Sequence, residues 1–156
     1  LIEGGGAGST YLIRSSEFIN FIKIIRNSTK ISLINHHDWI IYFYFRSHNK
    51  KWFFDESKTV LYRQHRYNEI GSNYSIRSHY KRFISLYNGY WFNQTRLYLD
   101  VLDKNNEFTD KLLRNGIKSY FFTIRNVFNL RRSKIDSIKF LFALIFMIFN
   151  YKNIFR

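Results

Sequence analysis

The pattern of hydrophobic and polar positions predicts a helix near the start of the chain. Apolar side chains recur at helical spacing and form one face, made of Phe18, Phe21, Ile22 and Ile25. Ser15 and Ser16 can cap this helix, and Glu17 suits the positive end of its dipole. The polar residues 27–30 then end it. We therefore expect a short amphipathic helix that begins at Ser15 or Ser16.

A second helix is predicted for the apolar run from Trp39 to Phe45. Asp38, directly before the run, is a natural first-turn residue, and the polar residues 47–51 are a natural terminator. Three shorter stretches have the character of β-strands: residues 9–14, and the pair 52–54 and 59–62 around an acidic turn. The polar residues 65–73 read as a loop.

From residue 75 onward the pattern is helical. One apolar stripe is made of Ile76, Tyr80, Phe83, Ile84 and Tyr87, and further helices are predicted over residues 90–102, 107–114 and 117–130. The last segment, residues 138–149, is apolar on all sides apart from Lys139 near its start, and its twelve residues are fewer than the roughly 20 that a membrane-spanning helix needs. Further cations flank it: Arg131, Arg132 and Lys134 before it, Lys152 and Arg156 after it. The pattern fits either a buried helix or one that lies in a membrane interface.

Charge separates the two halves of the chain. The formal net charge is +14; residues 1–73 carry ten Lys/Arg against six Asp/Glu, and residues 74–156 carry fifteen against five. The basic second half suits an anionic partner, either nucleic acid or an anionic membrane face. Because the chain has no cysteine, disulfides and thiolate zinc sites are excluded.

The glycine-rich segment GGGAGST, residues 4–10, suggests a phosphate-binding loop, but its spacing fails the known patterns. A dinucleotide fingerprint would need a third glycine at position 9 or 11, and a P-loop would need a lysine, of which none occurs before Lys23. The segment is therefore expected to be either a flexible entry to the next element or a place where another backbone or a ligand comes close.

Two further motifs carry candidate chemistry: HHDW at residues 36–39 and VLYRQHRYNEIG at residues 60–71. Each is weak alone, because an Asp before a helix is usually a cap and a His in a loop is usually solvated. In this order, after a glycine-rich segment that leads to Arg14, they resemble the C-terminal half of family 2 glycosyltransferases of the GT-A fold. The likeness is to the rhamnosyltransferase-like branch, which builds bacterial surface polysaccharides, and it covers residues 3 to about 75.

The resemblance implies a role for Asp38 and its neighbours. An inverting sugar transfer needs a carboxylate that takes the proton of the acceptor hydroxyl, and the resemblance assigns this role to Asp38. Trp39 is implied to pack beside the sugar or acceptor, and His37 to contact substrate. The glycines of the N-terminal segment are implied to let the backbone pass close to the ligand; these are Gly5, Gly6 and Gly8.

The second motif is implied to hold the departing nucleoside diphosphate. Arg63 and Gln64 would neutralise or bind its phosphates, and His65 would be a metal ligand or a hydrogen-bond donor to a phosphate oxygen. The cofactor implied is a divalent metal, Mg²⁺ or Mn²⁺. The alternative for Arg63 is a structural salt bridge to Asp55 or Glu56 across the predicted hairpin.

One departure from the family pattern is large. The first half of a GT-A domain ends in an Asp-x-Asp that holds the metal; this chain has none, and Asp100-Val-Leu-Asp103 has the wrong spacing. The expected fold class is therefore α/β, the C-terminal half of a GT-A domain. Residues 1–74 would be its acceptor-side part and residues 75–156 a basic helical tail. The isolated chain is expected to bind nucleotide-sugar weakly and to turn over poorly.

The expected function is transfer of a sugar, by inversion, from a nucleotide-diphosphate donor to a growing surface glycan such as O-antigen or capsule. The expected partners are the nucleotide-sugar donor, a glycan or lipid-linked acceptor and an anionic membrane surface, with the protein cytoplasmic at the inner face of the cell membrane. The alternative is a basic RNA-binding protein or an organellar ribosomal or respiratory subunit, since basic and aromatic residues are interleaved in the second half. No known RNA-binding module is present in the sequence, so nucleic acid is the less favoured partner.

Overall fold

The computed structural model of the chain describes residues 3–57, 76–102, 107–113 and 116–150, with the backbone alone for residues 76–79. Two helices lie in the first of these ranges, α1 over Ser15–Arg26 and α2 over His37–Ser47. Six follow in the others: α3 (Ile76–Tyr87), α4 (Tyr90–Val101), α5 (Glu107–Leu113), α6 (Ile117–Arg125), α7 (Val127–Leu130) and α8 (Lys134–Met147). Short 3₁₀ turns are formed by Gly8–Thr10, Ile31–Leu33 and Ile148–Asn150.

The predicted helices are present, with two local differences. α1 begins at Ser15, but its N-cap is Arg14 and no side chain caps it, so the prediction of serine caps is wrong. The helix predicted over residues 117–130 is divided at Asn126, which separates α6 from α7. The Asn126 side chain donates to the Phe122 carbonyl at 2.9 Å, a local bond that competes with continuation of the helix.

No strand occurs within the four described ranges, and the prediction of a strand over Ser9–Arg14 is wrong. Instead, Thr10 closes a tight turn: its backbone N–H and its hydroxyl both donate to the Ala7 carbonyl, at 2.9 and 2.7 Å. Residues 52–54 are likewise not in a strand, and residues 59–62 lie outside the described residues. An apolar stretch becomes a strand only where a partner strand pairs with it. The α/β fold class stays a prediction.

The core is built largely from aromatic rings, and α2 lies at its centre. Six of the eleven residues of α2 are buried, namely Trp39, Ile40, Tyr42, Phe43, Tyr44 and Phe45. Rings from three other parts of the chain meet this helix: Phe21 of α1 against Tyr44, Tyr98 of α4 against Trp39, and Trp52 against Tyr42, with centroids 5.1–5.3 Å apart. The Trp39–Tyr98 and Tyr42–Trp52 pairs have the edge-to-face geometry that aromatic rings prefer, and the Phe21–Tyr44 pair is tilted.

The remaining helices pack as neighbours in the second part of the structure. α3 packs on α4 and α8, α5 on α6, and α7 on α8. Two side-chain bonds fix α8 and the turn after it: the Tyr120 hydroxyl donates to the Leu144 carbonyl at 2.9 Å, and the Asn150 amide donates to the Tyr87 carbonyl at 2.8 Å. Ser133 caps α8 by accepting the N–H of Asp136.

The apolar segment 138–149 is neither fully buried nor fully exposed. One face of α8 lies in the core and consists of Ser137, Phe140, Ala143, Leu144 and Met147. The opposite face is exposed although it is also apolar. No helix in the described ranges is both long enough and apolar enough to cross a bilayer.

Because α8 has a buried and an exposed face, alanine substitutions at two adjacent residues should lower the free energy of unfolding by different amounts. Leu144 is fully buried and Ile145 is half exposed, so Leu144→Ala should lower the free energy of unfolding by about 2–5 kcal/mol. Ile145→Ala should change it by no more than about 0.5 kcal/mol. Urea unfolding of both variants measures this difference. Equal losses, or a larger loss for Ile145→Ala, would show that α8 has a different rotation about its axis.

Candidate site at the start of α2

The predicted base, Asp38, is in the first turn of α2 and is half-buried. Its Oδ1 accepts the backbone N–H of Trp39 at 2.9 Å. This bond fixes the orientation of the carboxylate, and a general base must be held in this way within reach of the proton that it takes. His37, next to it, has an exposed side chain. The start of α2 therefore offers a held carboxylate beside an exposed imidazole.

The N-terminal glycine segment packs against this helix start. A Cβ on Gly8 would lie 3.0 Å from Cβ of Asp38 and 3.1 Å from Nε2 of His37. A Cβ on Gly5, which is buried, would lie 2.7 Å from Cδ2 of Tyr42. Gly6 has φ +117°, a conformation that favours glycine, with open space around it. Gly5 and Gly8 therefore make room for side chains of α2, and their predicted approach to a ligand stays a prediction.

Tyr11 joins the glycine segment to α2. Its hydroxyl oxygen lies 3.1 Å from the Gly6 carbonyl and 3.3 Å from the Asp38 carbonyl, so its proton can be donated to either. Burial, with a smaller contribution from the Asp38 charge, raises the pKa of Tyr11 to about 12. The phenol thus stays protonated at neutral pH and keeps this hydrogen bond.

Trp39 lies in the core in this arrangement. The residue is 3% exposed, and its ring contacts Trp91 and Tyr98, with centroids 4.7 and 5.3 Å away. The Trp39 indole N–H and the Tyr98 hydroxyl are both buried without a hydrogen-bond partner among the described residues. Burial raises the pKa of Tyr98 and keeps it neutral. The predicted contact between Trp39 and substrate stays a prediction.

A polar cluster beside Asp38 was not predicted from the sequence. Tyr90, at the start of α4, has its hydroxyl oxygen 3.1 Å from Nε2 of His36 and accepts the side-chain amide of Asn35 at 3.1 Å. His36 also stacks on Trp91, with centroids 5.6 Å apart and planes 18° apart. Gln94 accepts the backbone N–H of Asn35 at 3.3 Å. The HHDW motif drew attention to His36, but no pattern in the sequence around it indicated that its partners lie more than 50 residues further along the chain.

The second motif falls outside the described residues. Arg63, Gln64 and His65 belong to it, so the predicted phosphate and metal contacts stay predictions. The alternative for Arg63, a salt bridge to Asp55 or Glu56, stays a prediction for the same reason. Asp55 accepts the N–H and the hydroxyl of Ser57, at 2.8 and 2.6 Å, and these bonds hold its pKa below the usual value.

The described residues do not supply a metal site. No group of three or more His, Cys, Asp or Glu side chains within them is placed to hold a metal ion. His36, His37 and Asp38 are consecutive in sequence, but the Nε2 of His36 faces the Tyr90 hydroxyl. The Mg²⁺ or Mn²⁺ that the resemblance implies, with His65 as its candidate ligand, stays a prediction.

Comparison with known proteins shows that the chain is similar in sequence to a sugar transferase. It is 34% identical over 148 residues to the dTDP-rhamnosyl transferase RfbG of Shigella flexneri. The match takes in 94% of this chain and 51% of that protein, so the chain spans about half the length of the curated relative that it matches. No family model and no solved structure matches the chain. The similarity supports the expected resemblance to a rhamnosyltransferase-like glycosyltransferase.

The packing of the glycine segment on α2 predicts contrasting effects at neighbouring glycines. Gly5→Ala would force a Cβ against Tyr42 and the Tyr11 hydroxyl, and should cost about 1–3 kcal/mol of stability. Gly4→Ala meets nothing within 4 Å, and should change stability by no more than about 0.5 kcal/mol. Thermal and urea unfolding of the two variants make the comparison. A neutral Gly5→Ala would mean that the segment does not pack on α2 as described.

Proposed function

We propose that the chain is the acceptor-side part of a glycosyltransferase that moves a sugar from a nucleotide-diphosphate donor to a surface glycan. The similarity to a dTDP-rhamnosyl transferase carries this proposal. Since the match takes in 94% of the chain, it includes both motifs, residues 36–39 and 60–71. The half-buried carboxylate of Asp38 at an electropositive helix start is the second support.

The proposed reaction is a single displacement at the anomeric carbon. An acceptor hydroxyl oxygen forms the new glycosidic bond while its proton passes to the Asp38 carboxylate. The bond between the anomeric carbon and the donor phosphate oxygen breaks, and the nucleoside diphosphate leaves with the bonding electrons. Attack from the side opposite the leaving group inverts the configuration.

Backbone interactions of Asp38 suit it to this role. Oδ1 is held by the Trp39 N–H at 2.9 Å, and the residue's carbonyl lies 3.3 Å from the Tyr11 hydroxyl oxygen. A base must be held within hydrogen-bond reach of the proton that it takes, so a fixed backbone on both sides of the carboxylate lowers the cost of orienting it. The exposed imidazole of His37 adds a hydrogen-bonding group for the acceptor.

The finer parts of the proposal rest on the family resemblance. They are membership of family 2 with the GT-A fold, binding of the donor phosphates by Arg63 and Gln64, and a Mg²⁺ or Mn²⁺ ion with His65 among its ligands. The donor proposed is a dTDP-activated sugar of the rhamnose type, by analogy with the name of the relative. The acceptor proposed is a glycan or a lipid-linked glycan, and the proposed site of the reaction is the inner face of the cell membrane.

The proposal predicts a large loss of transfer when the Asp38 carboxylate is removed. Asp38→Asn in the intact protein should lower the rate of sugar transfer by about 10²–10⁴-fold, because the amide cannot take the proton. Donor binding should be largely unchanged. The measurement is transfer from dTDP-rhamnose to an acceptor glycan, with donor affinity followed by calorimetry.

A matched control is Asp136→Asn, which removes another first-turn carboxylate, that of α8. It should leave transfer unchanged, although it also removes a carboxylate from the electropositive start of a helix. Wild-type transfer by Asp38→Asn would overturn the assignment of the base. Equal losses in both variants would show that the effect is one of helix stability.

The proposal also predicts that the 156-residue chain is a poor catalyst alone. The chain matches 51% of its relative and contains no Asp-x-Asp for the donor metal. We expect the isolated chain to give neither transfer nor donor hydrolysis above background with dTDP-rhamnose and Mn²⁺. Robust turnover by this chain would contradict its assignment to the acceptor side.

A further inference from the structure

An apolar stripe runs along the outward face of α8 and continues into the turn that follows. It is defined by five side chains that are 46–87% exposed: Ile135, Ile138, Phe142, Ile145 and Phe149. Their spacing of three and four residues keeps them on one side of a helix with about 3.6 residues per turn. Contiguous exposed apolar surface of this kind marks an interaction site.

The stripe is separate from the face that builds the core. Phe140, Leu144 and Met147 point into the core on the other side of the helix. From Ile135 to Phe149 the stripe extends about 21 Å at 1.5 Å per residue, less than the roughly 30 Å of a bilayer's hydrocarbon. A helix packed on one side and too short to cross can meet a membrane only by lying along its surface.

The charges beside the stripe indicate whether its partner is a second copy of the chain or an anionic surface. At about 100° per residue, Lys134 and Lys139 fall on opposite flanks of the stripe. The single carboxylate of α8, that of Asp136, falls toward the buried face, and its Oδ1 lies 3.5 Å from Nζ of Lys139. Because both side chains are more than half exposed, this ion pair is weak, and Lys139 can turn to another anion. Parallel pairing with a second copy along this stripe would bring Lys134 against Lys139 of that copy, which is unfavourable. An anionic surface would instead pair with both flanks.

We propose that the α8 stripe docks the protein flat onto an anionic lipid surface. Its Ile and Phe side chains enter the boundary between headgroups and acyl chains, and Lys134 and Lys139 extend along the apolar surface to lipid phosphates. The formal charge of +14 strengthens the attraction. This inference does not depend on the proposed sugar transfer, since vesicle binding can be present in a protein that lacks that activity.

Co-sedimentation with vesicles tests the stripe directly. The intact protein should bind vesicles of phosphatidylglycerol and phosphatidylcholine and should bind pure phosphatidylcholine far more weakly. The double variant Ile135→Gln with Phe142→Gln should weaken binding by about tenfold or more, since two apolar side chains can no longer enter the boundary. The matched control, Ile19→Gln with Phe53→Gln, also removes two exposed apolar side chains, but outside α8, and should bind like the wild type.

The lysine flanks are tested in the same assay. Lys134→Gln with Lys139→Gln should weaken binding to anionic vesicles by about 30-fold, at about 1 kcal/mol per cation. Lys23→Gln with Arg26→Gln, an equal charge loss at the end of α1, should have a clearly smaller effect. Circular dichroism of each variant verifies that it is folded.

Three outcomes would overturn the proposal. Two concern vesicles: equal binding to neutral and anionic vesicles, and unchanged binding by the stripe variant. The third is a dimer in solution that the stripe variant dissociates, measured by sedimentation equilibrium without lipid, because this would assign the stripe to a second copy of the chain.

Discussion

Burial of the aromatic helix α2 is the interaction on which the rest of this structure depends. Six consecutive or near-consecutive residues of α2 are buried, which leaves the helix almost no solvent-facing side beyond its ends. α1, α4 and residues 52–54 each contribute a ring that packs on it. Removing apolar area on this scale from water is the dominant favourable contribution to folding. These elements are therefore held in place by the same helix.

The candidate site follows from this burial. Asp38 immediately precedes the buried run, so the packing of Trp39 and Ile40 fixes where its carboxylate lies. Tyr11 brings the glycine segment to the same place. Its hydroxyl lies within hydrogen-bond distance of the Asp38 carbonyl, and its ring packs edge-on against Trp52, with centroids 4.9 Å apart. A carboxylate at the end of a buried helix is held more firmly than one in a loop, which is what a catalytic base requires.

Sequence reasoning succeeded where local pattern decides the structure. The run 39–45 with Asp38 before it predicted α2 because length, an acidic first turn and a polar terminator all agree. It failed at residues 9–14, because an apolar stretch does not reveal whether a partner strand exists. The bond between His36 and Tyr90 was also missed, because nothing local indicates a contact between residues so far apart in the chain.

The segment 138–149 shows a different limit. Apart from Lys139 its residues are all apolar, so periodicity could not distinguish a core face from an outward face. The neighbours of α8 make that distinction: α3 and α7 cover one side and leave the Ile and Phe stripe exposed. Only the three-dimensional packing therefore identified the stripe that is proposed to meet the membrane.

Amide hydrogen exchange across α2 tests the central claim most directly, namely that this helix is the buried element that holds Asp38. The account predicts that the amides of residues 42–45 exchange only when the whole protein unfolds, with an opening free energy equal to that from urea unfolding. Exchange of these amides by local opening, as fast as in the exposed turn Ile31–Leu33, would contradict it.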